Sequence, residues 1–198
     1  MALTWQPALF SPPTGELTRV TLDGESWVDH AVGWLPGADA VFADLVDHLP
    51  WAGRDRVMYG KRVAEPRLTA RWPSDGAGLP AALEAARCEL SARYGVDFDS
   101  VGFNLYRDGG DSVAWHRDRI PASIDRPVVA LVSLGAPRPF RLRPRGGGES
   151  ITFSLGNGDL LVTGGMAQRR WEHSVPKQRA AAARMSVAFR HSDGSGPV

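Results

Sequence analysis

The sequence predicts an α+β fold that is mainly β: an antiparallel barrel or jelly roll with two helices packed outside one sheet. Apolar residues recur at helical spacing twice before residue 95. After residue 100 the pattern changes to segments of five to eight residues with strand character, broken by Gly or Pro. A hydrophobic fraction of 43% and seven tryptophans in 198 residues supply enough apolar material for one sizeable core, so a single domain over 1–198 is expected.

In chain order, residues 1–36 read as irregular and strand-like, punctuated by Pro7, Pro12, Pro13, Gly15 and Gly24. A first helix is predicted over 38–49, with Val41, Leu45 and Leu49 on one face and Pro50 as its stop. Residues 51–78 show no clean period and look mobile. They contain Trp51, Tyr59 and Trp72 and a basic run of Arg54, Arg56, Lys61, Arg62, Arg67 and Arg71 against Asp55 and Glu65. A second helix is predicted over 80–94, with Leu83, Ala86, Leu90 and Tyr94 aligned and Gly95 ending it. Strands follow at about 100–107, 113–117, 127–134, 138–143, 150–155, 159–163, 170–174 and 183–190. Eight strands after two helices give the fold class.

The net charge of +1 hides an asymmetry. Residues 1–99 hold 9 Lys/Arg against 14 Asp/Glu, and residues 100–198 hold 14 against 8. The basic run in 51–78 and a cluster of Arg138, Arg141, Arg143 and Arg145 could converge to hold phosphates or could form an ordinary solvated surface. Cys88 is the single cysteine, which excludes an internal disulfide and a cysteine zinc site; it is expected on a buried helix face. No basic leader and no stretch of transmembrane length is seen. A soluble cytoplasmic monomer is expected.

The chemistry lies in His116, Asp118 and His173, followed by Arg184 and Arg190. His116 and Asp118, at i and i+2, face the same way in an extended segment and can grip one ion. His173 is far enough along to come from another strand. Two imidazoles and a carboxylate form the facial triad of non-haem Fe(II) oxygenases, which leaves coordination positions open. A hydrolytic zinc centre could use the same three ligands. It gives no reason for Arg184 and Arg190, which a strand would point to one side. Guanidinium groups pair with carboxylates and stay charged, so they suit a dicarboxylate cosubstrate such as 2-oxoglutarate.

The ordered motifs Pro66–Ala70, Asn104–Gly109, Asp111–Asp118, Ser133–Ala136, Gly158–Leu161, His173–Pro176 and Arg184–Arg190 resemble the AlkB-type Fe(II)/2-oxoglutarate dioxygenases that reverse alkylation damage on nucleic acid bases. The resemblance covers roughly 50–190 and implies a double-stranded β-helix, a form of jelly roll, with its catalytic core at about 100–190. It implies Fe(II) on His116, Asp118 and His173, with 2-oxoglutarate and O2 as cosubstrates. Arg184 would hold the distal carboxylate of 2-oxoglutarate and Arg190 would lie near its iron-binding end, with Asn104 and Tyr106 hydrogen-bonding it. Segment 51–78 would be a nucleotide-recognition lid. Trp72 is the first choice, and Tyr59 the second, to stack on an extruded base; a core tryptophan is the competing reading of Trp72. Arg67, Arg119 and Ile120 complete the expected substrate contacts. The implied activity is oxidative dealkylation, releasing formaldehyde from a methyl group or glyoxal from an etheno bridge.

Three departures stand out. The family's strand Arg-x-Asn-x-Thr-x-Arg here carries Ser186 and Ala188 in the middle. Ile120 stands where many members place a carboxylate aimed at the exocyclic nitrogen of the base, which favours tolerance of etheno adducts. The first 50 residues match nothing in the pattern. The alternatives are the same chemistry on RNA, tRNA bases or a small molecule, and a non-catalytic, metal-containing nucleic acid binding module. The sequence does not separate DNA from RNA.

Overall fold

A computed structural model describes residues 15–58, 61–72 and 78–192. In chain order its elements are β1 (Thr18–Thr21), β2 (Ser26–Ala31), α1 (Ala38–His48), β3 (Ala52–Met58), β4 (Lys61–Arg71), α2 (Ala81–Tyr94), β5 (Ser100–Tyr106), β6 (Val113–His116), β7 (Val129–Gly135), β8 (Arg138–Pro144), β9 (Ile151–Leu155), β10 (Leu160–Gly165), α3 (Ala167–Arg170), β11 (Trp171–Val175) and β12 (Arg184–Arg190). Eight strands form one antiparallel sheet in the order β1-β2-β10-β7-β12-β5-β4-β3. Four form a second in the order β6-β11-β8-β9.

Period-two alternation sorts the strands of the larger sheet onto two faces. Val101, Phe103 and Leu105 of β5 join Met185, Val187 and Phe189 of β12 and Ala130, Val132 and Leu134 of β7 in one buried cluster, together with Val41, Phe42 and Leu45 of α1 and Leu83, Ala86 and Leu90 of α2. Each such Leu or Phe contributes about 1.5–3 kcal/mol on burial, so this cluster can stabilise the sheet while its other face carries polar groups. On that other face Val28, Tyr106 and Leu161 meet Phe140, Leu142, Leu155, Trp171 and Val175 of the smaller sheet. The two sheets therefore face each other, and the site lies between them.

All eight strands predicted after residue 100 are present within two residues of the expected bounds, as are both long helices. Five elements lie outside those assigned from the sequence: β1, β2, β3, β4 and α3. β2, from the stretch read as irregular and strand-like, pairs with both β1 and β10. Its alternation is masked by Asp29, which is buried yet satisfied by Arg19 at 2.6 Å and by the Tyr94 hydroxyl at 2.9 Å. Segment 51–78 supplies β3 and β4, a hairpin that extends the large sheet through β4–β5 pairing. Residues Ala52–Asp55 at that edge are exposed and need no apolar period. α3 is too short to leave a helical period. Cys88 is exposed rather than on the buried face of α2, with Sγ 3.6 Å from Glu84 Oε1.

Candidate active site

His116 and His173 are direct cross-strand neighbours in the β6–β11 ladder, with ring centroids 4.2 Å apart. Between the pairs His173↔His116 and Val175↔Val113, two steps along β11 face three along β6. This bulge lets Val113 and His116, three residues apart, both line the same pocket. His116 Nδ1 lies 2.9 Å from the carbonyl oxygen of Ala114, so a proton there leaves Nε2 free for a metal. Asp118, in the loop after β6, divides its carboxylate. Oδ1 lies 3.8 Å from His116 Nε2 and 3.6 Å from His173 Nε2, while Oδ2 accepts from Arg190 Nε at 2.9 Å and Nη2 at 2.8 Å. Ligand atoms of the three residues lie within 4.8 Å of one another.

The electrostatics suit a cation ligand set. Burial, and then the neighbouring His116, push the His173 imidazole down to about 3, so it is neutral near pH 7. Its ring stacks on Phe140 at 5.2 Å. Burial alone would raise Asp118, but Arg190, then His173 and His116, hold its carboxyl well below the usual carboxylate range. Asp118 is therefore an anion.

A pocket open at its mouth runs from these ligands along the inner face of the large sheet. Tyr106 and Arg184 lie opposite each other in register, as do Asn104 and Ser186. Arg184 is fully buried. Its guanidinium sits 5.2 Å from the Tyr106 ring centroid and its Nε donates to Ser133 Oγ at 3.2 Å. Nη1 and Nη2 have no partner. Burial pushes this guanidinium down to about 10. Two buried, unpaired donors on a cation are costly and demand an anion. Asn104 Nδ2 donates to Ser186 Oγ at 3.4 Å and its Oδ1 accepts from Arg67 Nε at 3.0 Å, while Arg67 Nη2 pairs with Glu65 at 3.0 Å.

The 2OG-Fe(II) oxygenase superfamily model matches residues 47–192. The chain belongs to that superfamily. Within it the protein is AlkB-type: it is 32% identical to the alpha-ketoglutarate-dependent dioxygenase alkB homolog 3 of Bos taurus, over 90% of this chain and 67% of that one. The human protein of the same name is 30% identical, over 77% of this chain and 61% of its own length. The DNA oxidative demethylase ALKBH2 of Arabidopsis thaliana is 28% identical, over 96% and 75%. The chain thus spans about two-thirds of the first of these relatives and three-fifths of the second.

As an AlkB-type dioxygenase it uses Fe(II), 2-oxoglutarate and O2, and its residues fit both groups. The donor set is two neutral-capable imidazoles and a carboxylate oxygen turned toward them. The unpaired Nη1 and Nη2 of Arg184 match the two oxygens of a carboxylate.

The structure gathers His116, Asp118, His173, Arg184, Arg190, Asn104, Tyr106 and Arg67 around one AlkB-type pocket. It does not bring Trp72 there. With Leu68 and Ala70 of β4, Trp72 packs on the helix-side core, its ring 6.4 Å from that of Phe103, because alternation turns it to the face opposite Arg67. Tyr59 lies outside the described residues. Arg119 is exposed and Ile120 half-buried, and neither lines the pocket. Arg138 is no phosphate ligand: it is buried, with Nη1 donating to the carbonyl of Asp108 and Nη2 to those of Asp111 and Pro176, at 2.9 Å each. Arg143 pairs with Glu172 at 3.1 Å and lies 4.2 Å over Trp115.

Sequence reasoning also missed Thr163 and Gln168 on the pocket wall, and Arg169 beside them. Arg169 Nη1 donates to the carbonyl of Ile120 at 3.4 Å, and Nη2 to those of Pro121 and Ile124 at 2.6 and 2.7 Å. It fastens the loop that begins at Asp118. No local motif marks these residues: Thr163 lies on β10, and α3, which carries Gln168 and Arg169, is too short to leave a helical period.

Proposed function

We propose that the protein oxidatively dealkylates damaged bases in DNA, coupling decarboxylation of 2-oxoglutarate to hydroxylation of an N-alkyl or etheno carbon. The observation that carries it is one pocket with a buried, unpaired guanidinium at one end and a His-Asp-His cluster at the other. Its relatives' names, an alpha-ketoglutarate-dependent dioxygenase and a DNA oxidative demethylase, support the substrate class.

In this reading His116, Asp118 and His173 hold the iron. When bound, the iron with 2-oxoglutarate and O2 supplies the oxidation of the C–H bond. The chain supplies position. Arg184 anchors the distal carboxylate of 2-oxoglutarate, with Tyr106 and Asn104 beside it. Arg190 fixes Asp118 so that one carboxylate oxygen is offered to the metal. Arg67 holds Asn104 and couples the β3–β4 hairpin to the pocket. That hairpin is the nucleotide-recognition lid, on a double-stranded β-helix braced by α1 and α2. The protein works as a cytoplasmic monomer; among the described residues no helix is long and apolar enough to cross a membrane.

The test is mass spectrometry of oligonucleotides carrying 1-methyladenine, 3-methylcytosine or ethenoadenine, incubated with protein, Fe(II), ascorbate and 2-oxoglutarate, beside His116→Ala. Restoration of the normal base by the wild type alone is expected. Unchanged DNA in a preparation that holds iron would refute DNA repair and turn attention to RNA or small molecules.

A further inference from the structure

The pocket contains one polar atom that nothing above employs. Gln168, in α3, is buried, lines the pocket, and has a side-chain oxygen with no hydrogen-bond partner. The orientation of its amide follows from its neighbours. The carbonyl of Val129 can only accept, so the Thr163 hydroxyl 3.4 Å away donates to it. Thr163 Oγ1 is then an acceptor for Gln168, whose Nε2 lies 2.9 Å from it. The amide nitrogen is thereby committed to Thr163, and Oε1 is the group left over. Among the described residues the unpartnered buried side-chain acceptors are Gln168 Oε1, Ser26 Oγ and His30 Nε2, and of these Gln168 alone lines the pocket.

Register places Thr163, which holds the Gln168 amide, at the metal end. Thr163 pairs with Val129, and Phe189 pairs with Ala130, so the next position along β12 from that pair is Arg190, the residue that grips Asp118. The following residue, Arg169, holds the carbonyls of Ile120, Pro121 and Ile124. Gln168 is thus fixed together with the loop that starts at Asp118. Two other pocket acceptors are engaged, Asp118 Oδ2 by Arg190 and Asn104 Oδ1 by Arg67.

We infer that Gln168 reads the substrate, its Oε1 accepting a hydrogen bond from the exocyclic amino group of an N-alkylated adenine or cytosine. This rests on the dealkylation reading above. In 1-methyladenine and 3-methylcytosine the amino group is adjacent to the alkylated ring nitrogen, so an acceptor at the metal end sets the alkyl group toward the metal. In 3-methylthymine both groups beside the alkylated nitrogen are carbonyls, which meet Oε1 acceptor to acceptor. An etheno adduct has no N–H to donate. Gln168 is then a specificity residue that separates amino-bearing from carbonyl-bearing lesions, and a site built to hydrogen-bond a donor rejects the analogue that lacks it.

The test compares wild type, Gln168→Leu and Gln168→Glu on single-lesion oligonucleotides of 1-methyladenine and ethenoadenine, with succinate formed from 2-oxoglutarate without DNA as a control. Gln168→Leu should lower kcat/KM for 1-methyladenine about 10- to 100-fold and lower the 1-methyladenine to ethenoadenine ratio by about the same factor. Gln168→Glu keeps an acceptor and should keep the preference for 1-methyladenine, which also covers the case in which the Leu variant fails to fold. Equal losses on both lesions, an unchanged ratio in Gln168→Leu, or loss of the preference in Gln168→Glu would overturn the inference while leaving the dealkylation reading intact. A wild type that forms succinate yet restores neither lesion would overturn both.

Discussion

Replacing Arg184 with Met should stabilise the protein without ligands while removing its response to 2-oxoglutarate. Arg184 is fully buried, pushed down to about 10 by that burial, and leaves Nη1 and Nη2 unpaired. A buried donor without a partner costs about 1–3 kcal/mol, and exchanging a buried charge for an apolar side chain of similar volume is often neutral or stabilising by about 1–4 kcal/mol. Against this stands the lost bond from Nε to Ser133 Oγ at 3.2 Å, worth about 1 kcal/mol. The balance is about 1–2 kcal/mol in favour of Arg184→Met, or roughly 2–8 °C in Tm for a chain of this size. With 2-oxoglutarate the sign reverses. Two charge-assisted bonds at about 1.5–3 kcal/mol each disappear, which weakens cosubstrate binding by about two to four orders of magnitude. Thermal denaturation with and without 2-oxoglutarate, in the presence of Mn(II), reads both effects. A fall in Tm of the ligand-free variant together with undiminished stabilisation by 2-oxoglutarate would refute the assignment, because Arg184 would then be a satisfied structural residue.

Two further outcomes follow from the site. His173 has a folded pKa of about 3, below its ordinary value of 6.5; the unfolded chain therefore binds the extra proton first, and the contribution is complete above about pH 6.5 and lost as pH falls toward 3. Between pH 6.5 and 5 the metal-free wild type should lose about 2 kcal/mol more stability than His173→Gln, measured by urea denaturation; parallel curves would contradict the neutral imidazole. For lesion choice, Ile120 lies in the loop after Asp118 and does not line the pocket, so Ile120→Asp should leave the 1-methyladenine to ethenoadenine activity ratio within about two-fold; a rise of about ten-fold would show that this loop position faces the base.

The sequence made the catalytic core legible because its signals are local. Strand alternation over 184–190 puts Arg184, Ser186, Ala188 and Arg190 on the pocket side and Met185, Val187 and Phe189 in the core. The triplet His116-Arg117-Asp118 is adjacent in sequence and stays adjacent in space. What stayed hidden depends on tertiary context. The alternation in β2 is broken by Asp29, whose burial makes sense only once Arg19 and Tyr94 are seen beside it. Trp72 could be core or lid until the register of β4 against β5 fixed which face it takes. Arg138 reads as a surface cation because the three carbonyls that bury it come from Asp108, Asp111 and Pro176, in two distant loops. Gln168 carries no motif at all; its meaning comes from the hydroxyl of Thr163 and the carbonyl of Val129.

One strand also explains why the two arginines are not interchangeable. A rise of about 3.3 Å per residue separates positions 184 and 190 by roughly 20 Å, far more than the length of a five-carbon diacid. The structure divides their labour accordingly. Arg190 is paired with Asp118 and fixes which carboxylate oxygen faces the imidazoles, whereas Arg184 has free donors and no carboxylate near them. Between them the strand presents only Ser186 and Ala188 to the pocket, side chains short enough to leave the intervening wall open. Because β12 lies inside the large sheet, paired along its length with β5 and β7 and with Met185, Val187 and Phe189 in the core, the backbone positions that carry the two guanidinium groups keep a fixed spacing. The rigidity of one central strand thus sets the distance between the anion-binding end and the metal-binding end. The exchange of the expected polar pair for Ser186 and Ala188 alters the wall between these ends without altering their spacing.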